Sequence, residues 1–154
     1  MIKVNVIIST NRWKRYIKKP EKYLNSKLKK IKIKNFFFKN SQIDFSLLLT
    51  ESKQIKNLNK KFRKKNKSTD VLSFPSYEKK IMRKLLKTNS YIYIGDICIN
   101  LDKIIGKNLK ETRKNFNKIW IHGFVHLIGF DHFTDKKFYK MKKIEKKIHN
   151  EIMV

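Results

Sequence analysis

The sequence predicts an α+β fold, in which a small mixed β-sheet of about four strands packs with helices. Four segments have the alternation or the β-branched and aromatic enrichment of strands, and the intervals carry apolar residues at helical spacing. A chain of 154 residues is long enough for one core and too short for two comfortable ones. Neither an internal repeat nor a linker divides it, so we expect a single domain over residues 1–154.

The strands follow from local composition. YIYIGDICIN alternates β-branched and aromatic residues, which is the most regular strand pattern in the chain. VLSFP ends at Pro75, which has no amide proton and therefore stops the strand or places it at a sheet edge. The predicted strands are residues 2–8, 43–50, 71–75 and 91–100.

Helical patterns fill the first intervals. Pro20 suits the first turn of a helix. Thr50 offers a hydroxyl cap, and Glu51 a first-turn acid, for a second helix over about residues 51–64. The apolar or amphipathic positions of this second helix are Ile55, Leu58 and Phe62.

Two longer helices are predicted towards the end of the chain. The first covers about residues 102–129, either as one helix or with an interruption, and the second covers about 134–152. Between the third and fourth strands, residues 76–90 form either a loop or a short surface helix. The last helix places on one side Phe138, Met141, Ile144 and Ile148.

The formal net charge of +27 comes from 34 lysines and 5 arginines, in a chain without alanine. Few residues with GC-rich codons and many with AT-rich codons indicate that genome bias has raised the lysine count. Such a surface still attracts polyanions, with an affinity that falls as salt rises. The charge is therefore compatible with an RNA or DNA partner without proving one.

The expected cellular compartment follows from the lack of a membrane-span pattern, a signal-peptide pattern and a second cysteine in the sequence. No apolar run approaches the length of a membrane span, and the first residues do not have the order of a signal peptide. Cys98 is the only cysteine and lies in an apolar run, so we expect a buried thiol rather than a disulfide. These features favour a reducing, cytoplasmic setting without membrane contact.

Three of the four histidines lie within HGFVHLIGFDH, residues 122–132. On a helix, His122 and His126 project from one face, and Gly129 can end the helix so that the chain returns with His132. Three converging imidazoles without a fourth ligand are typical of a catalytic zinc site, here on the helix that precedes the C-terminal helix. The alternative is a set of scattered core or surface histidines.

Nearby polar residues have weaker interpretations. Asp131 is either a turn residue or an acceptor that orients a ligand imidazole, while His149 is expected at the surface. The spacing H-x-x-x-H-x-x-G-x-x-H also occurs in metzincin peptidases, which carry a glutamate base directly after the first histidine. Gly123 stands at that position and cannot move a proton, so peptidase chemistry by that route is excluded.

Several blocks resemble one known family. HGFVHLIGFDH is similar to HGxLHLxGYDH, the signature of the YbeY endoribonucleases. LNKKFRKKNKSTDVLSFP, residues 58–75, and YIGDICIN, residues 93–100, resemble two further blocks of that family. Met141 and Glu145 follow its M-x-x-x-E ending, and the matches keep their order over about residues 43–150.

The resemblance implies a zinc-dependent endoribonuclease specific for single-stranded RNA. Its role would be 3′-end maturation of small-subunit (16S-type) rRNA and ribosome quality control, with rRNA and the ribosomal small subunit as partners. One zinc ion would bind His122, His126 and His132, and the catalytic residues would be His122, His126 and Arg63. The alternative is a noncatalytic RNA-binding factor for ribosome assembly, with a structural zinc.

The physical properties of Arg63 agree with such a role, because a guanidinium binds phosphate in a fixed bidentate fork. The alternative is an exposed charge at a helix C-terminus.

Phe130 replaces a tyrosine of the family signature and removes a hydroxyl. Ser68 and Thr69 are more typical of a turn than of a substrate contact. Asp96 either faces the metal pocket or supports the backbone.

Overall fold

A four-stranded mixed sheet forms the centre of the protein in a computed structural model, which describes residues 1–32 and 42–153. The strand order is β1-β2-β4-β3, with β1, β2 and β4 parallel and β3 antiparallel to β4. The α+β prediction is therefore confirmed. The strands are β1 (Ile2–Ile8), β2 (Gln42–Thr50), β3 (Val71–Pro75) and β4 (Tyr91–Asn100).

Six α-helices lie in the described part of the chain, together with a 3-10 helix, Asn11–Arg15. No helix among them is long and apolar enough to cross a membrane. They are α1 (Pro20–Leu28), α2 (Ser52–Arg63), α3 (Lys79–Thr88), α4 (Leu101–Ile104), α5 (Leu109–Leu127) and α6 (Asp135–Met153).

The two faces of the sheet carry separate apolar clusters. On one face the large core packs against α1, α5 and α6, with Phe45 of β2 meeting Phe124 of α5 at a ring-centroid distance of 5.4 Å. On the other face Ile55 of α2 packs with Leu72 and Cys98, which are paired across β3 and β4. The end of β4, from Ile97 to Asn100, is therefore buried on both faces and is nearly continuously apolar, whereas β1 alternates buried and exposed residues.

Several boundary predictions are settled by the structure. The segment 76–90 contains the short surface helix α3, which buries Met82 and Leu86. The predicted helix over 102–129 is interrupted, because α4 ends at Ile104 and α5 begins at Leu109. Asn108 caps the start of α5, and its side chain accepts a hydrogen bond from the backbone amide of Glu111. An asparagine at this position satisfies one of the free amides of the first turn.

The predicted cap of α2 is wrong. β2 extends through Thr50, which is buried, and its hydroxyl bonds the side chain of Gln54 instead of a helix amide. Glu51 precedes the first helical residue and turns its carboxylate towards Arg12, at 2.6 Å. Of the apolar or amphipathic positions named for this helix, Ile55 is buried and Phe62 is 57% exposed.

Candidate metal centre

The three histidines of residues 122–132 meet where α5 ends. His122 and His126 lie on its last turns, and Gly129 follows with a φ of +92°. The amide of Gly129 donates to the His126 carbonyl at 3.0 Å, and that of Phe130 donates to the Val125 carbonyl at 3.2 Å. This is the Schellman pattern of a glycine-ended helix, and it reverses the chain after the second histidine.

The reversal brings His132 back to the first two imidazoles. One ring nitrogen from each of the three side chains can be chosen so that all lie within 4.8 Å of one another. The Nε2 atoms of His122 and His126 are 3.1 Å apart. The predicted convergence is therefore present, and the three residues could hold a metal ion.

Hydrogen bonds to the other ring nitrogens fix the tautomers of two histidines. The Nδ1 of His126 lies 2.9 Å from the Phe130 carbonyl, which can only accept, so Nδ1 carries the proton. The Nδ1 of His122 lies 2.7 Å from Oε1 of Glu145 and donates to that carboxylate. In the neutral rings both Nε2 lone pairs then face one point, and a cation there relieves their repulsion. The donor set thus fits a metal ion.

The pKa values of His126 and Glu145 are both shifted in the direction that suits metal binding. Burial lowers the pKa of His126 to about 4, and the imidazole of His122 acts in the same direction. Burial alone would raise the pKa of Glu145, but hydrogen bonds from His122 and Lys142 outweigh it and hold that pKa below its ordinary value. At neutral pH His126 is therefore an electron-pair donor and Glu145 is a carboxylate.

The histidines form one wall of a cleft of about 530 Å³, and Arg63 lies in the same cleft. Arg63 is the last residue of α2, and its Nη2 donates to the carbonyl of Ser73 at 2.6 Å. Its guanidinium carbon lies 5.7 Å from the ring centre of Phe74. The predicted partner of the histidines is thus held over the same opening, with further guanidinium N–H groups available to an anion.

Aromatic and basic side chains complete the cleft. Phe133, next to the third histidine, is 84% exposed, and Tyr77 is 43% exposed. Lys65 and Lys79 also line the opening. Exposed rings beside cations form a surface suited to a flexible polyanion with planar groups.

Asp131 acts as a turn residue rather than as an acceptor for a ligand imidazole. Its Oδ1 accepts from the amide of Phe133 at 3.3 Å, and its Oδ2 lies 2.9 Å from Nζ of Lys79 and 3.3 Å from Nζ of Lys137. The hydrogen bond from Lys79 contributes most to lowering the pKa of Asp131 to about 2. Among the described residues, the carboxylate that orients a histidine is Glu145 instead.

Gly123 is buried against the sheet, which explains why no acid occupies this position. A β-carbon here would lie 2.9 Å from Cγ2 of Ile97 and 3.2 Å from Oγ of Ser73. The Ser73 hydroxyl donates to the Gly123 carbonyl at 3.4 Å. The glycine lets α5 approach the sheet closely, and a side chain at 123 would point into the core rather than towards the histidines.

Sequence reasoning did not assign the role of Glu145, although a signal was present. Glu145 is an acid next to the buried stripe of α6, between Ile144 and Ile148, and its side chain is only 14% exposed. A buried acid needs a partner, and the histidine cluster supplies it. His149 was expected at the surface, but it is half-buried because the stripe of α6 is wider than predicted.

The other candidate residues make hydrogen bonds or packing contacts that support the fold. The Nδ2 of Asn100 donates to Oγ of Ser68 at 2.9 Å and to the Thr69 carbonyl at 3.0 Å, which fixes the turn before β3. Asp96 is exposed and accepts a hydrogen bond from the hydroxyl of Tyr93 at 2.6 Å. Burial, followed by the charge of Asp96, raises the pKa of Cys98 to about 12.

The matching family model and two relatives of this chain carry the same name. The family model described as Endoribonuclease YbeY matches residues 5–153. A protein named Endoribonuclease YbeY from Pelagibacter ubique is 43% identical over 155 residues, which cover 99% of this chain and 97% of the relative. Another of that name from Thermodesulfovibrio yellowstonii is 35% identical over 129 residues, 80% of this chain and 74% of the relative.

A solution structure of a Thermotoga maritima protein is 25% identical and covers 98% of this chain and 91% of its own, with a TM-score of 0.49. That score is too low to add to the family assignment. The family model, however, spans almost all of the sequence, and both named relatives exceed 30% identity over most of their length. The chain therefore belongs to the YbeY family of endoribonucleases.

Proposed function

We propose that this protein is a zinc-dependent endoribonuclease that cleaves single-stranded RNA, with residues 1–154 forming one catalytic domain. The observation that carries the proposal is the shared cleft, in which Arg63 lies with His122, His126 and His132. Membership in a family of endoribonucleases supports RNA cleavage. We further propose 3′-end maturation of small-subunit rRNA and ribosome quality control in the cytoplasm, with the small subunit as partner.

The three histidines would hold the zinc ion, which would supply a Lewis acid for a phosphate oxygen or a bound water of lowered pKa. Arg63 would bind the scissile phosphate and stabilise the charge that develops on it. Ser73 and Phe74 keep the guanidinium in place by a hydrogen bond and a ring contact. Phe133 would stack a base beside the reacting phosphate.

The attacking nucleophile can be identified by experiment. Asp70 and Asp131 are the carboxylates among the residues that line the cleft, and the low pKa of Asp131 makes it a weak base. The group that attacks the phosphorus is either a water or the 2′-hydroxyl of the substrate. A single 2′-deoxynucleotide at the cleavage position distinguishes them, because it blocks only attack by the neighbouring 2′-hydroxyl.

The decisive experiment compares metal-stripped, zinc-restored and His126→Ala proteins on a single-stranded RNA that ends like a small-subunit rRNA precursor. We expect cleavage only by the zinc-restored protein, and no bound zinc in the variant. Equal cleavage by the stripped protein would contradict the zinc role. RNA binding with zinc but without cleavage would favour the noncatalytic assembly factor.

A further inference from the structure

A second pocket of about 630 Å³ opens beside the histidine site, between α5, α6 and the start of β3. It shares three residues with the cleft, namely Asp70, Val71 and His122. A chain that crosses the histidine site can therefore place its next unit in this pocket without leaving the surface of the protein. Two of its lining residues, His122 and Glu145, belong to the metal site, and the rest of the pocket has no role in the function proposed above.

The lining of this second pocket combines an apolar wall with a few polar groups. Val71 and Ile119 are half-buried and Ile121 is buried. Asp70 brings a carboxylate, and His149 brings an imidazole whose Nε2 is shielded from solvent and has no hydrogen-bond partner within residues 1–32 and 42–153. Because solvent does not reach that nitrogen, an occupant of the pocket would contact His149 through other atoms of its half-buried ring.

Positive charge surrounds the opening of the pocket. Lys118 and Lys146 are exposed there, and neither forms an ion pair with an acid in the described part of the chain. Lys142 also lines the pocket and is paired with Glu145 at 2.7 Å. The pocket therefore selects for an occupant that is apolar and flat on its faces, polar at its edge and anionic where it meets solvent.

We propose that this second pocket binds one nucleotide of the single-stranded RNA, adjacent to the phosphate at the histidine site, a proposal that rests on the proposed function. The base lies against Val71, Ile119 and the ring of His149, its polar edge meets Asp70, and its phosphate lies near Lys146. Binding there holds the strand in register with the reacting phosphate. Cleavage therefore depends on the base at one fixed position relative to the cut.

The first test measures nucleotide binding without cleavage. The methyl NMR signals of Ile119 and Ile121 are followed in the zinc-loaded protein while adenosine, guanosine, cytidine or uridine 5′-monophosphate is added. We expect saturable shifts with at least one nucleotide and none with ribose 5-phosphate, which has the phosphate but no base. Equal shifts with ribose 5-phosphate, or none with any nucleotide, would overturn the proposal.

The second test uses paired variants in the RNA-cleavage assay. Lys146→Glu at the pocket and Lys143→Glu, which lies on the same helix away from the pocket, make the same charge change. We expect Lys146→Glu to raise KM at least about threefold more than Lys143→Glu, with similar kcat. Ile119→Phe, which fills the pocket, should raise KM as well, and circular dichroism checks its fold.

An abasic scan of the substrate separates this proposal from the proposed function. One abasic nucleotide is moved along the RNA, and we expect a loss of about 5-fold to 100-fold in kcat/KM at one position next to the cut, which the pocket-filling Ile119→Phe protein does not show and which is therefore separate from stacking on Phe133. Cleavage that ignores every abasic position would overturn the pocket assignment and leave the endoribonuclease intact. A protein that cuts no RNA would overturn the function, while the NMR shifts would still report on the pocket.

Discussion

Replacing Glu145 should weaken zinc binding without unfolding the protein. Its Oε1 accepts from Nδ1 of His122 at 2.7 Å, and its side chain is 14% exposed, so solvent competes little for this bond. Removing the carboxylate frees the His122 ring to rotate and to change tautomer. Loss of such a partner typically costs 10-fold to 100-fold in metal affinity, or about 1.4–2.7 kcal/mol.

The conservative change should cost about half of that free energy. In Glu145→Gln the amide oxygen can still accept from His122, but the bond loses its charge assistance, which accounts for roughly half of its strength. We therefore expect zinc affinity to fall about 3-fold to 10-fold in Glu145→Gln and about 10-fold to 100-fold in Glu145→Ala.

Competition with a chromophoric zinc chelator at pH 7.5 measures both affinities, and circular dichroism checks the fold. Glu21→Gln is the matched control, because Glu21 is exposed on α1 and contacts the amide of Val6 rather than the histidines. Zinc binding by Glu145→Ala that equals binding by the control would refute the assignment of Glu145 as the residue that orients His122.

Three further predictions concern single residues. Arg63→Glu should still bind zinc but should lose at least about 100-fold in kcat, because the guanidinium that binds the phosphate is gone. RNA cleavage and metal analysis measure the two effects, and an unchanged kcat would show that Arg63 is an ordinary surface charge. Gly129→Ala should lower the free energy of unfolding by about 1–2 kcal/mol, because a φ of +92° is strained for alanine. A β-carbon at this position would meet only ordinary van der Waals contacts, so no clash adds to this cost. An unchanged midpoint in a denaturant titration would contradict the prediction. Cys98, with its pKa raised to about 12 by burial, should react with a thiol reagent at pH 8 only after denaturation, and fast labelling of the folded protein would show that the site opens.

The parts of the fold that sequence predicted are those with a local cause. Alternation in YIYIGDICIN and helical spacing of apolar residues around Phe124 depend on neighbours in the chain. The histidine site is also local, because a helix turn joins His122 to His126 and Gly129 returns the chain to His132. These patterns could be recognised without knowing what the elements pack against.

The errors have long-range causes. Thr50 was correctly predicted as the last residue of a strand, but the expectation that its hydroxyl also caps α2 failed, because Thr50 pairs with Asn100 of β4 and Glu51 precedes the helix. Asp131 could not be assigned, because its partner Lys79 lies 52 residues away in sequence. Glu145 reaches His122 only when α6 packs on α5, which no spacing within either helix reveals.

The close approach of α5 to the sheet limits how this site can evolve. Chains with the same histidine spacing and a glutamate after the first histidine have peptidase chemistry open to them. Here Gly123→Glu cannot provide that base, since its first carbon would already meet Ile97 at 2.9 Å. The same contact involves Ser73, whose carbonyl holds Arg63. To admit a glutamate at this position, α5 would have to move away from the strand whose backbone holds the arginine, so the close packing that favours one chemistry works against the other.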